Sequence, residues 1–263
     1  MARVSVEYQD HIARVTLTRG DKMNALDDEM VEAILDAGAE VAESGARAVV
    51  LSGEGKSFCA GLDMASFAKM AQMIDVDVEA WLMERTYHDA NAMQEVAMIW
   101  RRVPVPVIAA LQGAVFGGGL QIALGADIRI AEPETKFAVM EMKWGLVPDM
   151  GGMALLPQLV RSDVLRLLTY TATPVAAAQA ERWGLVTELA ADPMARAMEI
   201  ATQISGQSPA AIRAAKRLIG VAESATQEEV LLEESREQAG VLGKSEQMEV
   251  VMARMQGRKP EFK

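Results

Sequence analysis

"AVFGGGLQIALGADIRI", running from Ala114 to Ile130, is the stretch whose reading decides the fold. The apolar run "VPVIAALQG" leads into it, with the length and composition of a strand buried on both faces. Three glycines, Gly117 to Gly119, then stand directly at the start of a helix near residues 118–125. Glycine inside a helix costs about 1 kcal/mol relative to alanine. Three together therefore ask for a reason, and close approach of a ligand to this backbone would supply one. Gln121 follows as a polar interruption in an apolar segment. "ADIRIAEP" and "TKFAV" then resume as strands, so the order is strand, glycine turn, helix, strand: an α/β crossover.

The same order recurs upstream. Val4, Val6 and Tyr8 alternate with polar residues, as do Ala13, Val15 and Leu17, with a polar break at Gln9–Asp10–His11, which predicts a hairpin. Asp27 and Asp28 are the candidate caps ahead of a helical stripe through Met30, Ile34, Ala37 and Val41. "ARAVVLSG" is a second doubly buried strand, and "GEGKSFCAGLDM" a glycine-punctuated loop. The spacing of Trp81, Met93, Val96 and Trp100 predicts one long helix over about 76–102. From about residue 150 the chain reads as helical, with Ser208 as a cap and proline at the first helical position of "SPAAIRAAKRLIG".

Composition excludes several classes. The chain has 263 residues, is 51% hydrophobic and carries a formal net charge of −11, which argues against a broad basic face for nucleic acid. No apolar run reaches the length of a membrane span, and the alternating N-terminus reads as neither signal nor transit peptide. A single cysteine, Cys59, excludes an internal disulfide framework and fits a reducing, cytoplasmic compartment. With His11 and His88 it makes neither a zinc site nor a nucleophile pair, so all three read as structural.

Two nucleotide motifs fail on inspection. "GEGKS" lacks the upstream glycine of a phosphate loop, since position 50 is Val, and Ile122 stands where a dinucleotide fingerprint needs its third glycine. What survives is a combination: "FCAGLD", "GAVFGGGL" and "KFAVMEMKWGLVPDMGG". Two glycine-flanked loops after buried strands expose N–H groups that can converge on an oxyanion. The third brings two carboxyls, Glu141 and Asp149, into apolar surroundings that raise a carboxyl pKa toward that of a general base.

"NAL" at 24–26, "AVVLSGEGKSFCAGLDM", "PVIAALQGAVFGGGLQIALGADIRIA", "KFAVMEMKWGLVPDMGG" and "AERWGLV", in this order, resemble the successive signatures of the crotonase superfamily, the enoyl-CoA hydratases and isomerases. The resemblance runs from about Val4 to the closing "GRKPEFK" and is specific for the family, not for the reaction. It implies an α/β fold, a spiral of ββα units over residues 1–200 carrying a CoA-thioester site. A helical C-terminal region, 201–263, would build homotrimers, often paired into hexamers. The thioester oxygen would be held by the N–H groups of Leu62 and Gly118. Ala60, Leu62, Asp63, Met64 and Gly118 would line the CoA path, Lys22 would meet a CoA phosphate, and Lys259 or Phe262 is a further contact, from the same or a neighbouring subunit. Residues about 65–102, with Met140 and Trp144, would shape the acyl pocket. No metal and no cofactor beyond the CoA moiety of the acyl-CoA substrate is implied.

Hydratases of this family carry two acids, in patterns resembling "GGGCE" and "QPE"; here they are Gln121 and Glu141. A glutamine can orient water but cannot take its proton. Moving a double bond needs only one base, and Asp149, where hydratases usually have glycine, resembles the isomerases. The resemblance thus implies an isomerase, with Glu141 and/or Asp149 shuttling the proton and Gln121 as a polar positioner. A hydratase with altered acids, or a CoA-thioester-binding protein without turnover, are the alternatives.

Overall fold

The computed structural model describes residues 2–66 and 77–262. Strands β1 (Val4–Gln9) and β2 (Ile12–Leu17) form the expected antiparallel hairpin, with Asp10 and His11 both at positive φ in its turn. Helix α1 (Asp28–Glu43) begins where its cap predicts, the Asp27 carboxylate accepting the Met30 N–H at 2.9 Å. Such a cap is worth about 1 kcal/mol. Strand β3 (Ala48–Gly53) is buried along its whole length.

The expected long helix over 76–102 is two pieces, α2 (Val78–Met83) and α3 (Ala92–Arg102); residues 67–76 lie outside the described residues. His88, at φ 56°, sits in the turn between the two pieces and not on a helix. Asn91 restarts the chain with a capping box to Gln94, so Trp81 and Met93 share a helical spacing without sharing a helix. Then follow β4 (Val107–Leu111), β5 (Ala114–Phe116), α4 (Gly118–Leu124), β6 (Ile128–Ala131), β7 (Lys136–Ala138) and a 3-10 turn at Glu141–Trp144. Helices α5 (Gly152–Leu159), α6 (Ser162–Thr171) and α7 (Ala177–Trp183), with short strands β8 (Val175–Ala176) and β9 (Glu188–Leu189), complete this part. Helices α8 (Pro193–Ser205), α9 (Pro209–Ala222), α10 (Gln227–Val241) and α11 (Ser245–Met255) finish the chain, and Ser208 caps α9 as expected.

The larger sheet has the order β1-β2-β3-β4-β6-β9, parallel from β2 onward; the smaller has the order β5-β7-β8. Cys59 extends the smaller sheet through a parallel bridge to Val115, which pairs with Phe137, which pairs with Val175. Successive turns of the chain therefore each add one strand to each sheet, which is the expected spiral. One face of the larger sheet buries Val15, Leu17, Val49, Leu51, Val107 and Ala109 against α1, α3 and the smaller sheet. On the other, Ile12, Val50, Ile108 and Ile130 pack on Ala197 and Ala201 of α8. Among the described residues no helix is long and apolar enough to cross a membrane.

Candidate active site

The glycine run opens α4, and each glycine has its own reason. Gly117 has φ 50° and ψ −123°, a conformation that side chains disfavour. A Cβ on Gly118 would lie 2.6 Å from Met150 Sδ and 2.8 Å from Leu26 Cδ1. One on Gly119 would lie 2.4 Å from the Cys59 carbonyl oxygen. Sequence reasoning expects these side chains to be absent so that a ligand can approach. The space at 118 and 119 is instead filled by the protein itself.

The loop after β3 arrives alongside. Leu26 N–H donates to Gly61 O at 2.8 Å, and Asp63 N–H donates to Leu26 O at 2.8 Å. In a parallel bridge these flanking bonds turn the N–H of the residue between them, Leu62, to the opposite side. A Cβ on Gly61 would stand 3.6 Å from the Gly118 nitrogen, so the two loops are in contact. Gly118 is the first residue of α4, and its N–H has no acceptor within the helix. Leu62 and Gly118 both line a cavity of about 800 Å³.

Buried Asn24 fastens this corner. Its amide donates to Glu54 O and Ser57 O, and its carbonyl accepts the Arg19 N–H. Arg19 then reaches Asp63 at 2.6 Å and Asp27 at 3.3 Å. The Asp63 carboxyl is held below its usual pKa, first by the Ala65 N–H and also by Arg19 and Lys22. Arg19 escaped sequence reasoning, because no local pattern marks it and its partner on the loop, Asp63, is distant in sequence. Cys59 is buried as expected, its Sγ donating to Asn24 O, and burial pushes its thiol up to about 12.

Glu141, at the start of the 3-10 turn, brings the chemistry. Its Oε1 accepts from Gln121 Nε2 at 2.6 Å. Its Oε2 is buried and has no hydrogen-bond partner among the described residues. Desolvation is the main reason its pKa is raised; its own backbone N–H and then the bond from Gln121 oppose the shift, and the charge of Asp149 adds to it. Asp149 is exposed as a whole residue, yet its carboxyl is withdrawn enough from water for desolvation to raise its pKa too.

Gln121 is buried behind Glu141, and the cavity wall is formed by other residues. Its carbonyl oxygen accepts the Met150 N–H at 2.9 Å and the Gly152 N–H at 2.8 Å. The amide thus ties Glu141 to the segment that carries Asp149.

Of the residues expected at the site, Lys22, Ala60, Leu62, Asp63, Met64, Gly118, Glu141 and Asp149 all line the cavity, as do Met140 and Trp144. Val78, Trp81, Leu82 and Met93 join them from the expected acyl-pocket region. Within this chain Phe262 lies elsewhere. Its carbonyl accepts from Arg47, whose guanidinium also stacks 5.7 Å from the Phe262 ring, at the end of β3 opposite to the 59–64 loop. Lys259 does not line the cavity either. Among the described residues no group of three His, Cys, Asp or Glu is arranged to hold a metal ion.

Residues 7–263 match the family profile described as enoyl-CoA hydratase/isomerase. A putative enoyl-CoA hydratase/isomerase of Bacillus subtilis, YngF, is 34% identical over 79% of this chain and 77% of its own length. The human mitochondrial Δ(3,5)-Δ(2,4)-dienoyl-CoA isomerase is 32% identical over 79% of this chain and 65% of its own. The crystal structure of a putative enoyl-CoA hydratase from Streptomyces coelicolor superposes with a TM-score of 0.90 at 31% identity, covering 99% of this chain and 94% of that one.

Proposed function

Because this chain belongs to the enoyl-CoA hydratase/isomerase family, we propose that it is an enoyl-CoA isomerase that moves a double bond in an acyl-CoA. The observation that carries this reading is the pairing of Gln121 with Glu141, which leaves Glu141 Oε2 as a single unpartnered buried base. The thioester oxygen sits between the Leu62 and Gly118 N–H groups. Glu141 Oε2 takes a proton from C2 of a 3-enoyl thioester, and the electron pair moves onto the carbonyl oxygen as a dienolate. Removing one such donor typically costs about 3–4 kcal/mol of transition-state stabilisation. The protonated carboxyl then returns the proton at C4, leaving the double bond at C2–C3. Asp149 assists by keeping the Glu141 pKa high. These transfers call on no metal or redox group, and Lys22 meets the CoA phosphates.

The test is 3-hexenoyl-CoA isomerisation beside crotonyl-CoA hydration, in wild type and Glu141→Gln. Isomerisation faster than hydration, and lost in Glu141→Gln, is the expected result. Fast hydration that survives in the variant overturns the reading. A hydratase is the second reading, favoured by the electrostatic coupling of Asp149 to Glu141, which supplies two carboxyls after all. It requires hydration to exceed isomerisation and to fall in Asp149→Asn.

We also propose a cytoplasmic homotrimer or a dimer of trimers. Exposed Leu231, Leu232, Met248, Met252 and Met255 on α10 and α11 supply apolar surface for such an assembly. Sedimentation at micromolar concentration decides it, and a monomer sinks it.

A further inference from the structure

We infer that the acyl end of the cavity is built for a bulky, uncharged acyl group bearing an aromatic ring. This rests on the acyl-CoA reading above and specifies its substrate. Glu141 and Asp149 mark the end of the cavity where the reacting carbons lie. Gly151, next to that segment, packs on α3, a Cβ there falling 3.2 Å from Gln94 O and 3.4 Å from Ala97 Cβ. The N-terminal part of α3, with Met93, therefore belongs to this end. Asn91 Nδ2 donates to Leu82 O at 3.0 Å, which brings Trp81 and Leu82 of α2 to the same wall. Met93, Trp81 and Leu82 thus line the cavity on this side, with Met140 and Trp144 from the segment that carries Glu141.

Thioether and indole walls have a common preference. Methionine sulfur makes favourable contacts at the edge of an aromatic ring and adapts to its shape. Indoles offer offset or edge-to-face stacking. A straight alkyl chain gains the apolar transfer but neither of these directional contacts. The whole cavity, the CoA path included, measures about 800 Å³, in the upper part of the range usual for ligand pockets.

Charge sharpens the selection. Among the described residues lining the cavity, Lys22 is the only Lys or Arg, and it stands with Asp21, Ala60 and Asp63 at the entrance loops. Among the described residues, the charged groups at the acyl end are the carboxyls of Glu141 and Asp149. An acyl group ending in a second carboxylate would be repelled by them and would lose its hydration without a partner.

The test is equilibrium binding of non-reacting saturated thioesters: butanoyl-CoA, octanoyl-CoA, 3-phenylpropanoyl-CoA and succinyl-CoA, with free CoA as reference. 3-Phenylpropanoyl-CoA should bind at least tenfold tighter than butanoyl-CoA and tighter than octanoyl-CoA. Succinyl-CoA should bind at least tenfold weaker than butanoyl-CoA. In Trp81→Ala and Met93→Ala the ratio of 3-phenylpropanoyl to octanoyl binding should fall toward one. Octanoyl-CoA binding as well as the aromatic thioester, or succinyl-CoA matching butanoyl-CoA, overturns the inference while leaving the acyl-CoA reading intact. If no thioester binds more tightly than free CoA, the acyl-CoA reading itself falls, and the inference with it.

Discussion

Gln121 donates to Glu141 across 2.6 Å and, with its other end, accepts two backbone N–H groups, those of Met150 and Gly152. Both ends of one amide are committed, so its orientation is determined. An acid in the same place could keep the two N–H bonds but would face Glu141 with a second oxygen.

Gln121→Glu therefore creates two buried carboxyls at hydrogen-bond distance, which hold a shared proton in the folded state. Their folded-state pKa lies above that of a glutamate in the unfolded chain. The stability they contribute when protonated is fully present below the unfolded value, about 4.3, and is lost as pH rises through the folded one. The melting-temperature gap to wild type should widen from pH 5 to pH 8. A gap that does not change with pH counts against the shared proton.

Gln121→Leu removes both acceptor and donor. Two buried N–H groups lose their partner, at about 1–3 kcal/mol each. Chemical denaturation should show a loss of that order. An unchanged midpoint would mean that the Met150 and Gly152 bonds are not maintained in solution.

Glu141→Gln and Asp149→Asn separate base from modulator. Loss of a positioned general base typically lowers kcat about 10²–10⁴-fold, and Glu141→Gln should show it. The base must be ionised, so the wild-type rate should rise with pH through a value above the ordinary carboxylate range, because desolvation raises Glu141. Asp149→Asn removes a like charge that raises it further, so the rising limb should move to lower pH. A pH–rate profile that stays in place in Asp149→Asn refutes the coupling.

The glycines make a graded series. A methyl at 119 meets the Cys59 backbone carbonyl, while one at 118 meets the side-chain ends of Met150 and Leu26, which can shift by a change of rotamer. Thermal unfolding should rank Gly119→Ala below Gly118→Ala in stability. Gly118→Ala should fold yet lose turnover, since it pushes Met150 and disturbs the loop bearing the proposed oxyanion donor. Equal melting temperatures would refute the packing assignment.

Arg19→Gln should raise KM for an acyl-CoA more than it lowers kcat. Its bond to Asp63 holds the loop proposed to line the CoA path, not the carboxyls. A selective fall in kcat would place Arg19 nearer the chemistry than the structure has it.

Much of this was legible in the sequence because it is local. Alternation marks the β1–β2 hairpin, Asp27 caps the helix it precedes, and continuous apolar runs mark strands buried on both faces. The break between α2 and α3 was not legible, because periodicity is blind to a left-handed residue such as His88 that interrupts two segments of equal spacing. The glycine run announced itself, but its reasons lie in Cys59, Leu26 and Met150, remote in sequence and close in space. The same holds for Gln121. That it is polar and set among apolar residues is visible in the sequence; that it clasps a segment some thirty positions onward is a property of the spiral.

The spiral has a consequence for how such a chain can diversify. The segment between Asp63 and Asn91 leaves the frame at one firm anchor, the Leu26–Leu62 bridge, and rejoins it at another, the capping box of α3. Among the described residues between those anchors, none pairs into either sheet or hydrogen-bonds Gln121 or Glu141. The stretch that carries Trp81 and Leu82 is therefore anchored apart from the segment that carries Glu141 and Asp149, although Met140 and Trp144 of that segment line the same cavity. A graft that replaces the intervening stretch with one of another length should leave the frame paired while changing the part of the cavity wall that Trp81 and Leu82 supply.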